Sequence, residues 1–384
     1  MPHRIYLAAI IVLVGNSAIA PAAEPFVLTG NDFAAKQPQL AVDSSNGLHL
    51  VFGSGSGVYH CSSRDGGQSF TDPVRVGGAR FLSLGMRRGP RVAATGDAIV
   101  VTAIGGEIGG GRDGDLFAWR STDNGKTWQG PSRVNDVDAS AREGLHAMSA
   151  SPAGVVYCAW LDLRNKRTEI MGASSRDGGK TWSENHVAYR SPEKSVCECC
   201  HPSVAFAADG TLYVMWRNSL AGNRDMYVAL SKDEGRSFAA AKKLGTGNWQ
   251  LDACPMDGGT IAIDKHGIAH TAWRRAKHVY STSGETSGET SGVTSGETSG
   301  EQQLAAGEQP WLAMTDLGTA ITWISHRPGD LFVKVPWKMP PTKLASDARD
   351  PVVVGCQDSV VVAWETEHDG KPLIKVQRID KPAQ

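Results

Sequence analysis

One eight-residue phrase occurs four times in this 384-residue chain and restricts its fold more than any other feature. It reads Ser63-Arg64-Asp65-Gly66-Gly67-Gln68-Ser69-Phe70, then Ser121-Thr122-Asp123-Asn124-Gly125-Lys126-Thr127-Trp128. It returns as Ser175-Arg176-Asp177-Gly178-Gly179-Lys180-Thr181-Trp182 and as Ser231-Lys232-Asp233-Glu234-Gly235-Arg236-Ser237-Phe238. Successive copies start 54 to 58 residues apart, a period in the range of propeller blades. The phrase has a mechanical sense. Its Asp accepts backbone N–H bonds inside a tight turn, its Gly takes positive φ, and its terminal aromatic is set to be buried between neighbouring sheets.

A second repeat underlies the first. Each unit opens with a short strand after a proline or polar residue, turns, and continues into an apolar strand that often ends in Trp. The units run Gln37-Pro38 to Phe52, Gly89-Pro90 to Ala103, Leu145-His146 to Trp160, and His201-Pro202 to Trp216. They continue as Pro255-Met256 to Trp273, Gln309-Pro310 to Trp323, and Asp350-Pro351 to Trp364. Short strands at this spacing predict an all-β fold, a β-propeller of four-stranded blades, seven by repeat count with six as the alternative. Phe26-Val27-Leu28 is expected to close the ring beside the final strands near Ile374 to Arg378. Content of 44 Gly and 19 Pro suits such a chain of turns and argues against long helices.

The chain opens with His3 and Arg4, an apolar run from Ile5 to Gly15, and the small residues Ala20-Pro21-Ala22-Ala23. This reads as a secretory signal over residues 1–23, too short to span a bilayer, with an N-terminal anchor as the competing reading. The mature protein, residues 24–384 as a single domain, is then expected to be secreted, periplasmic or extracellular. No later segment reads as transmembrane. From Ser281 to Glu301 the chain repeats Thr-Ser-Gly-Glu, a low-complexity composition that predicts a surface insertion. A formal net charge of −1 gives no reason to expect nucleic acid or an anionic membrane as partner.

The four phrases resemble the Asp-box (S-x-D-x-G-x-[ST]-[WF]) of sialidases and other bacterial neuraminidase-repeat proteins. The resemblance implies a β-propeller in which Asp65, Asp123, Asp177 and Asp233 are structural, on the face opposite the active site. It also implies a carboxylate-binding set of arginines at the channel mouth, since guanidinium forks match carboxylate geometry. Aligning the repeats places Arg217, Arg274 and Arg327 at equivalent second-strand exits, with Arg88, His146 and Arg164 on the same face. These six are the ligand-binding candidates, for a small molecule or a glycan; solvated rim residues are the plain alternative. The chain departs from the sialidase pattern at its first unit, where Lys36-Gln37-Pro38 replaces Arg-Ile-Pro. The family's Tyr–Glu nucleophile pair has no matching motif either, although Tyr280 and Glu308 are present. The catalytic residues therefore stay unknown. Asp162 is a weak acid/base candidate, against a local pair with Arg164.

The cysteines are the least ordinary residues. Cys197, Cys199, Cys200 and His201 precede the first strand of the fourth unit, and Cys254 and Met256 precede that of the fifth. Consecutive blades bring these groups together, and thiolate, imidazole and thioether form a soft set suited to Cu(I), or to Zn(II) through Cys and His. A disulfide, for instance from Cys254 to one of the cluster, is the competing reading in an oxidising compartment. Cys197, Cys200 and His201 also satisfy C-x-x-C-H, but Pro202 starts a strand at once, which disfavours covalent haem. Cys61, Cys158 and Cys356 read as packed singletons. Three functions follow: a secreted sialidase-like propeller holding a ligand or soft metal ion at its channel mouth, an exo-α-sialidase or related glycoside hydrolase acting on acidic sugars, or an envelope scaffold for protein partners.

Overall fold

The computed structural model describes residues 24–30, 32–284 and 299–382. The predicted signal segment lies outside the described residues, as does the middle of the Thr-Ser-Gly-Glu segment. The described chain is all-β, and none of it forms a helix long and apolar enough to cross a membrane.

Antiparallel four-stranded sheets follow one another along the chain. The first joins Lys36–Val42, Leu48–Ser54, Gly57–Ser63 and Val74–Gly78. The next joins Arg91–Ala94, Ile99–Gly106, Asp115–Ser121 and Gln129–Arg133, with the short Phe81–Leu82 added at one end of Ile99–Gly106. The third joins His146–Ala150, Val156–Asp162, Glu169–Ser175 and His186–Tyr189; the fourth joins Ser203–Phe206, Leu212–Arg217, Met226–Ser231 and Lys242–Lys243. The fifth joins Gly259–Ile263, Ala269–Arg275, His278–Gly284 and Ser299–Ala306. The long strand Lys338–Cys356 serves two sheets. Its first part pairs with Gly329–Val335, outermost of the three strands that begin with Glu308–Thr315. Its last part pairs with Ser359–His368, which pairs with Lys371–Asp380. The N-terminal strand Phe26–Val27 completes that sheet, with Phe26 opposite Val376.

The first strands of these sheets pack side by side in sequence order, and the last part of Lys338–Cys356 returns to Lys36–Val42, which closes the ring. The second strands are covered on both sides by neighbouring sheets, so Val156–Asp162 and Leu212–Arg217 are buried along their whole length. Their Trp residues wedge between sheets, and Trp160, Trp216 and Trp364 are fully buried.

Each Asp-box is built as its sequence requires. In the second copy Asp123 Oδ1 accepts Thr127 N–H at 2.9 Å and Oδ2 accepts the Thr127 hydroxyl at 2.6 Å. Ser121 Oγ donates to Asp123 at 2.7 Å and accepts Gly125 N–H at 2.9 Å. Gly125 has φ +82, and a Cβ there would clash with the His60 ring of the preceding sheet. Gly235, in the fourth copy, meets Tyr157 in the same way. The box is therefore a turn and a docking point at once.

One expectation needs correction. Ser281–Gly284 and Ser299–Glu301, the ends of the segment read as a surface insertion, lie within strands. Backbone pairing overrides their composition: Ser281–Gly284 pairs with the start of Ala269–Arg275, and Ser299 lies opposite Ser283. Thr271 and Thr282 share a hydroxyl hydrogen bond of 2.8 Å, and Glu301 forms an ion pair with Arg275.

Candidate metal centre and channel mouth

The second-strand exits and first-strand starts do gather at one end of the ring, but they are joined to each other. Arg217, leaving the fourth sheet, donates from Nε to the Asp257 carbonyl of the fifth at 3.0 Å. Arg274, leaving the fifth, pairs with Glu308 at 2.7 Å. Arg327 donates from Nε (3.1 Å) and a terminal nitrogen (2.8 Å) to Asp350. Glu365 accepts the backbone N–H of Gln37 at 3.2 Å, completing the pattern across the closure. The same repeat that aligned these residues in sequence makes them a belt between adjacent sheets.

Inside the belt the channel is filled by a buried polar network. Asp350 accepts from Gln37 Nε2 at 2.7 Å and from Gln309 Nε2 at 3.1 Å. Arg87 reaches across the ring and donates to the carbonyls of Pro351 (2.8 Å) and Gln309 (2.6 Å), with its guanidinium 5.1 Å from the Trp311 ring. Asp257 accepts Gln309 N–H at 2.7 Å. Burial pushes the carboxyl of Asp257 up, against the pull of Arg87. Gln37, Arg87, Gln309 and Asp350 all have φ between +49 and +65. Gln37, Gln309 and Asp350 sit where the pairing register shifts at the channel-side ends of their strands, and these left-handed residues persist because the network holds them.

The expected ligand-binding residues do not form one open pocket. Arg217 is fully buried and also donates to the carbonyls of Arg224 (2.6 Å) and Arg274 (2.8 Å). The Trp249 ring lies 5.1 Å from its guanidinium and 5.6 Å from that of Arg274. His146 is buried against Thr102 at 3.0 Å, and burial, followed by Arg91, drives its pKa well down. Arg88 turns outward to the Glu143 carbonyl (2.7 Å) and lines a cavity of about 370 Å³ with Ser83, Arg142 and Glu143. Arg164 pairs with Asp162 (2.9 Å) and Asp136 (2.8 Å). Asp162 is buried and spends its second oxygen on Trp160 Nε1 at 2.8 Å, which leaves it a structural anchor. A cavity of about 800 Å³ opens instead at the other end of the first strands, lined by Asn46, Asp264, His270, Asp316 and Asp358.

The thiols behave differently. Cys197, Cys199 and Cys200 are buried with their three Sγ atoms all within 4.8 Å of one another. Cys197 Sγ lies 3.3 Å from Cys200 Sγ and 3.7 Å from Cys199 Sγ. Met256 packs against the trio from the next sheet. The S–H groups of Cys199 and Cys200 draw the Cys197 pKa down, so the cluster favours a thiolate on that sulfur. His201 is not in the trio. Its ring stacks on Trp311 at 6.0 Å, and burial followed by Arg87 and Arg91 drives its pKa well down. Cys254 is exposed while the trio is buried, and it forms no disulfide. Cys61, Cys158 and Cys356 are buried free thiols.

Sequence reading missed Arg87, Asp257 and Trp249. Arg87 and Asp257 each adjoin a residue that was singled out, Arg88 and Met256. Which of two neighbours points to the axis depends on a left-handed backbone that repeat alignment does not reveal.

Residues 90–266 match the BNR repeat-like domain family. No curated protein matches the chain. Among solved structures, the α-L-arabinanase of Penicillium chrysogenum complexed with arabinobiose aligns over 94% of this chain and 98% of its own, at 11% identity and a TM-score of 0.55. The NanB sialidase of Streptococcus pneumoniae aligns over 93% of this chain and 70% of its own, at 9% identity and a TM-score of 0.56. The leech intramolecular trans-sialidase aligns over 97% and 70%, at 10% identity and a TM-score of 0.53. At these identities the likeness is one of fold.

Proposed function

We propose that this chain, a sialidase-like BNR-repeat propeller, is a secreted protein that holds a soft metal ion, Cu(I) or Zn(II), in a thiol site at the mouth of its channel. The observation that carries the reading is the convergence of the Cys197, Cys199 and Cys200 sulfurs within 4.8 Å. Metal–sulfur bonds of about 2.3 Å place the sulfurs of one coordination sphere roughly 3.7–4 Å apart, which is the spacing this trio approaches. Met256, packed against the cysteine cluster, brings a second soft donor type beside it. A scaffold for protein partners has no use for such a group of buried thiols.

The glycosidase reading has less support. Arg217 spends its guanidinium on three carbonyls, Arg274 on Glu308, and Arg327 on Asp350, so an incoming carboxylate would have to displace each partner. The arabinobiose and sialic-acid chemistry of the similar folds belongs to those proteins. Metal analysis of protein expressed with export to an oxidising compartment tests the proposal. About one copper or zinc per chain is expected, lost in Cys197→Ser and Cys200→Ser variants that still fold. Metal-free protein with a quantitative disulfide within the trio would overturn it. A sialic acid aryl glycoside is expected to release no fluorophore from acid to neutral pH, and turnover abolished by Arg327→Ala would restore the hydrolase.

A further inference from the structure

Arg217 joins the two halves of the thiol cluster. Its carbonyl accepts the N–H of Cys197 at 3.0 Å, so the cysteine loop hangs from the end of the strand Leu212–Arg217. Its guanidinium Nε donates at 3.0 Å to the carbonyl of Asp257, the residue after Met256. Met256 has φ +56, a left-handed conformation that an unbranched side chain keeps only when its neighbours hold it. Bonds to the Arg224 and Arg274 carbonyls fix the guanidinium plane, so the clamp is rigid. Loop and thioether belong to different sheets, and this one fully buried residue ties them together, through its backbone carbonyl on the loop side and its guanidinium on the Met256 side.

We infer that Arg217 is a positioning residue that holds the Met256 thioether on the thiol trio, making a Cys₃Met site that selects Cu(I) over Zn(II). The inference rests on the metal-binding reading above. A neutral thioether is a good ligand for a soft monovalent ion and a poor one for Zn(II), which takes thiolate, imidazole or carboxylate. His201 adjoins the trio in sequence and would supply the imidazole zinc favours, but its ring is turned to Trp311.

The test is a pair of competition titrations on the full mature chain, one with chelator-buffered Cu(I) and one with chelator-buffered Zn(II). Met256→Leu is expected to weaken Cu(I) binding about tenfold or more while leaving Zn(II) binding within a few-fold. Arg217→Lys should shift the ratio of affinities the same way, which mere loosening of the fold would not, since that weakens both metals alike. An unchanged ratio in Met256→Leu overturns the inference. So does equal weakening of both metals in Arg217→Lys, and should that variant not fold, Met256→Leu decides alone. If the unmodified chain binds neither metal, the reading beneath has failed, and the titration of that chain shows it separately.

Discussion

Arg217 also shows how a residue in the right place in sequence can serve a different end. The repeat alignment set it beside Arg274 and Arg327 as a candidate for an acidic ligand, and the structure spends it on carbonyls of its own chain. Type and position were legible; the partner was not, because one residue's worth of backbone rotation separates a side chain facing solvent from one facing the next sheet. The thiol trio could be read more directly, since C-x-C-C spacing holds three sulfurs close in many backbone conformations, whereas His201 and Cys254 depended on orientation and did not join it. A stability measurement separates the two roles for Arg217. Arg217→Met keeps an unbranched side chain but removes the guanidinium and strands three carbonyls, one of them, on Asp257, at a buried residue, and should cost about 3 kcal/mol or more. The denaturant midpoint is expected to fall with an unchanged m-value, while Arg274→Met, at a side chain 22% exposed, moves it far less. A wild-type midpoint for Arg217→Met would mean the guanidinium is free for a ligand.

At the scale of the element, the Asp-box was the best-read part of the chain because its chemistry is local: acceptor, donors and left-handed glycine all lie within eight residues. The Thr-Ser-Gly-Glu ends were misread for the converse reason, since their strand state comes from a partner strand and not from their own composition. The boxes carry a pH signature whose sign follows from their bonds. The Thr127 hydroxyl, joined by backbone N–H groups, holds Asp123 down to about 2, and the Ser237 hydroxyl does the same for Asp233. A carboxylate depressed from an ordinary value of 3.8 binds fewer protons folded than unfolded. Its contribution is therefore complete above about pH 4 and disappears as the pH falls toward 2. Asp233→Ala should lower the Tm at pH 7 by about 2–4 °C and flatten the pH dependence of stability between pH 4 and 2. An identical acid limb in the variant would show that the boxes do not set it.

For the whole molecule the decisive contact is between the two ends of the chain. Closing a ring over roughly 350 residues costs about 5 kcal/mol in chain entropy, so the seam must be well packed to hold it. It is: Leu40, Leu48, Leu50 and Phe52 of the first sheet form one buried cluster with Val352, Val361, Ala363, Ile374 and Val376 of the last. The strand Phe26–Val27 reinforces this seam by completing the last sheet from the other terminus, extended by the Leu28 N–H donating to the Ile374 carbonyl at 2.8 Å. Ile374 N–H in turn donates to the Thr29 hydroxyl at 3.2 Å, and Phe26 sets its ring 6.4 Å from Phe70 of the first Asp-box. Two hydrophobic residues at 26 and 27 were enough to suggest a closing strand, because propeller sheets need a fourth strand that the C-terminal sequence does not supply. A chain beginning at residue 32 loses this strand and leaves Lys371–Asp380 as an open edge, with unpaired N–H and C=O groups that template association. It is expected to unfold at least about 5 °C lower and to aggregate on heating where the longer chain refolds, since a few kcal/mol of seam contacts are gone. Scanning calorimetry with light scattering on both chains measures this. If the shorter chain melts at the same temperature and stays clear, the inner-strand contacts close the ring alone and the terminal strand is an ornament of the last sheet.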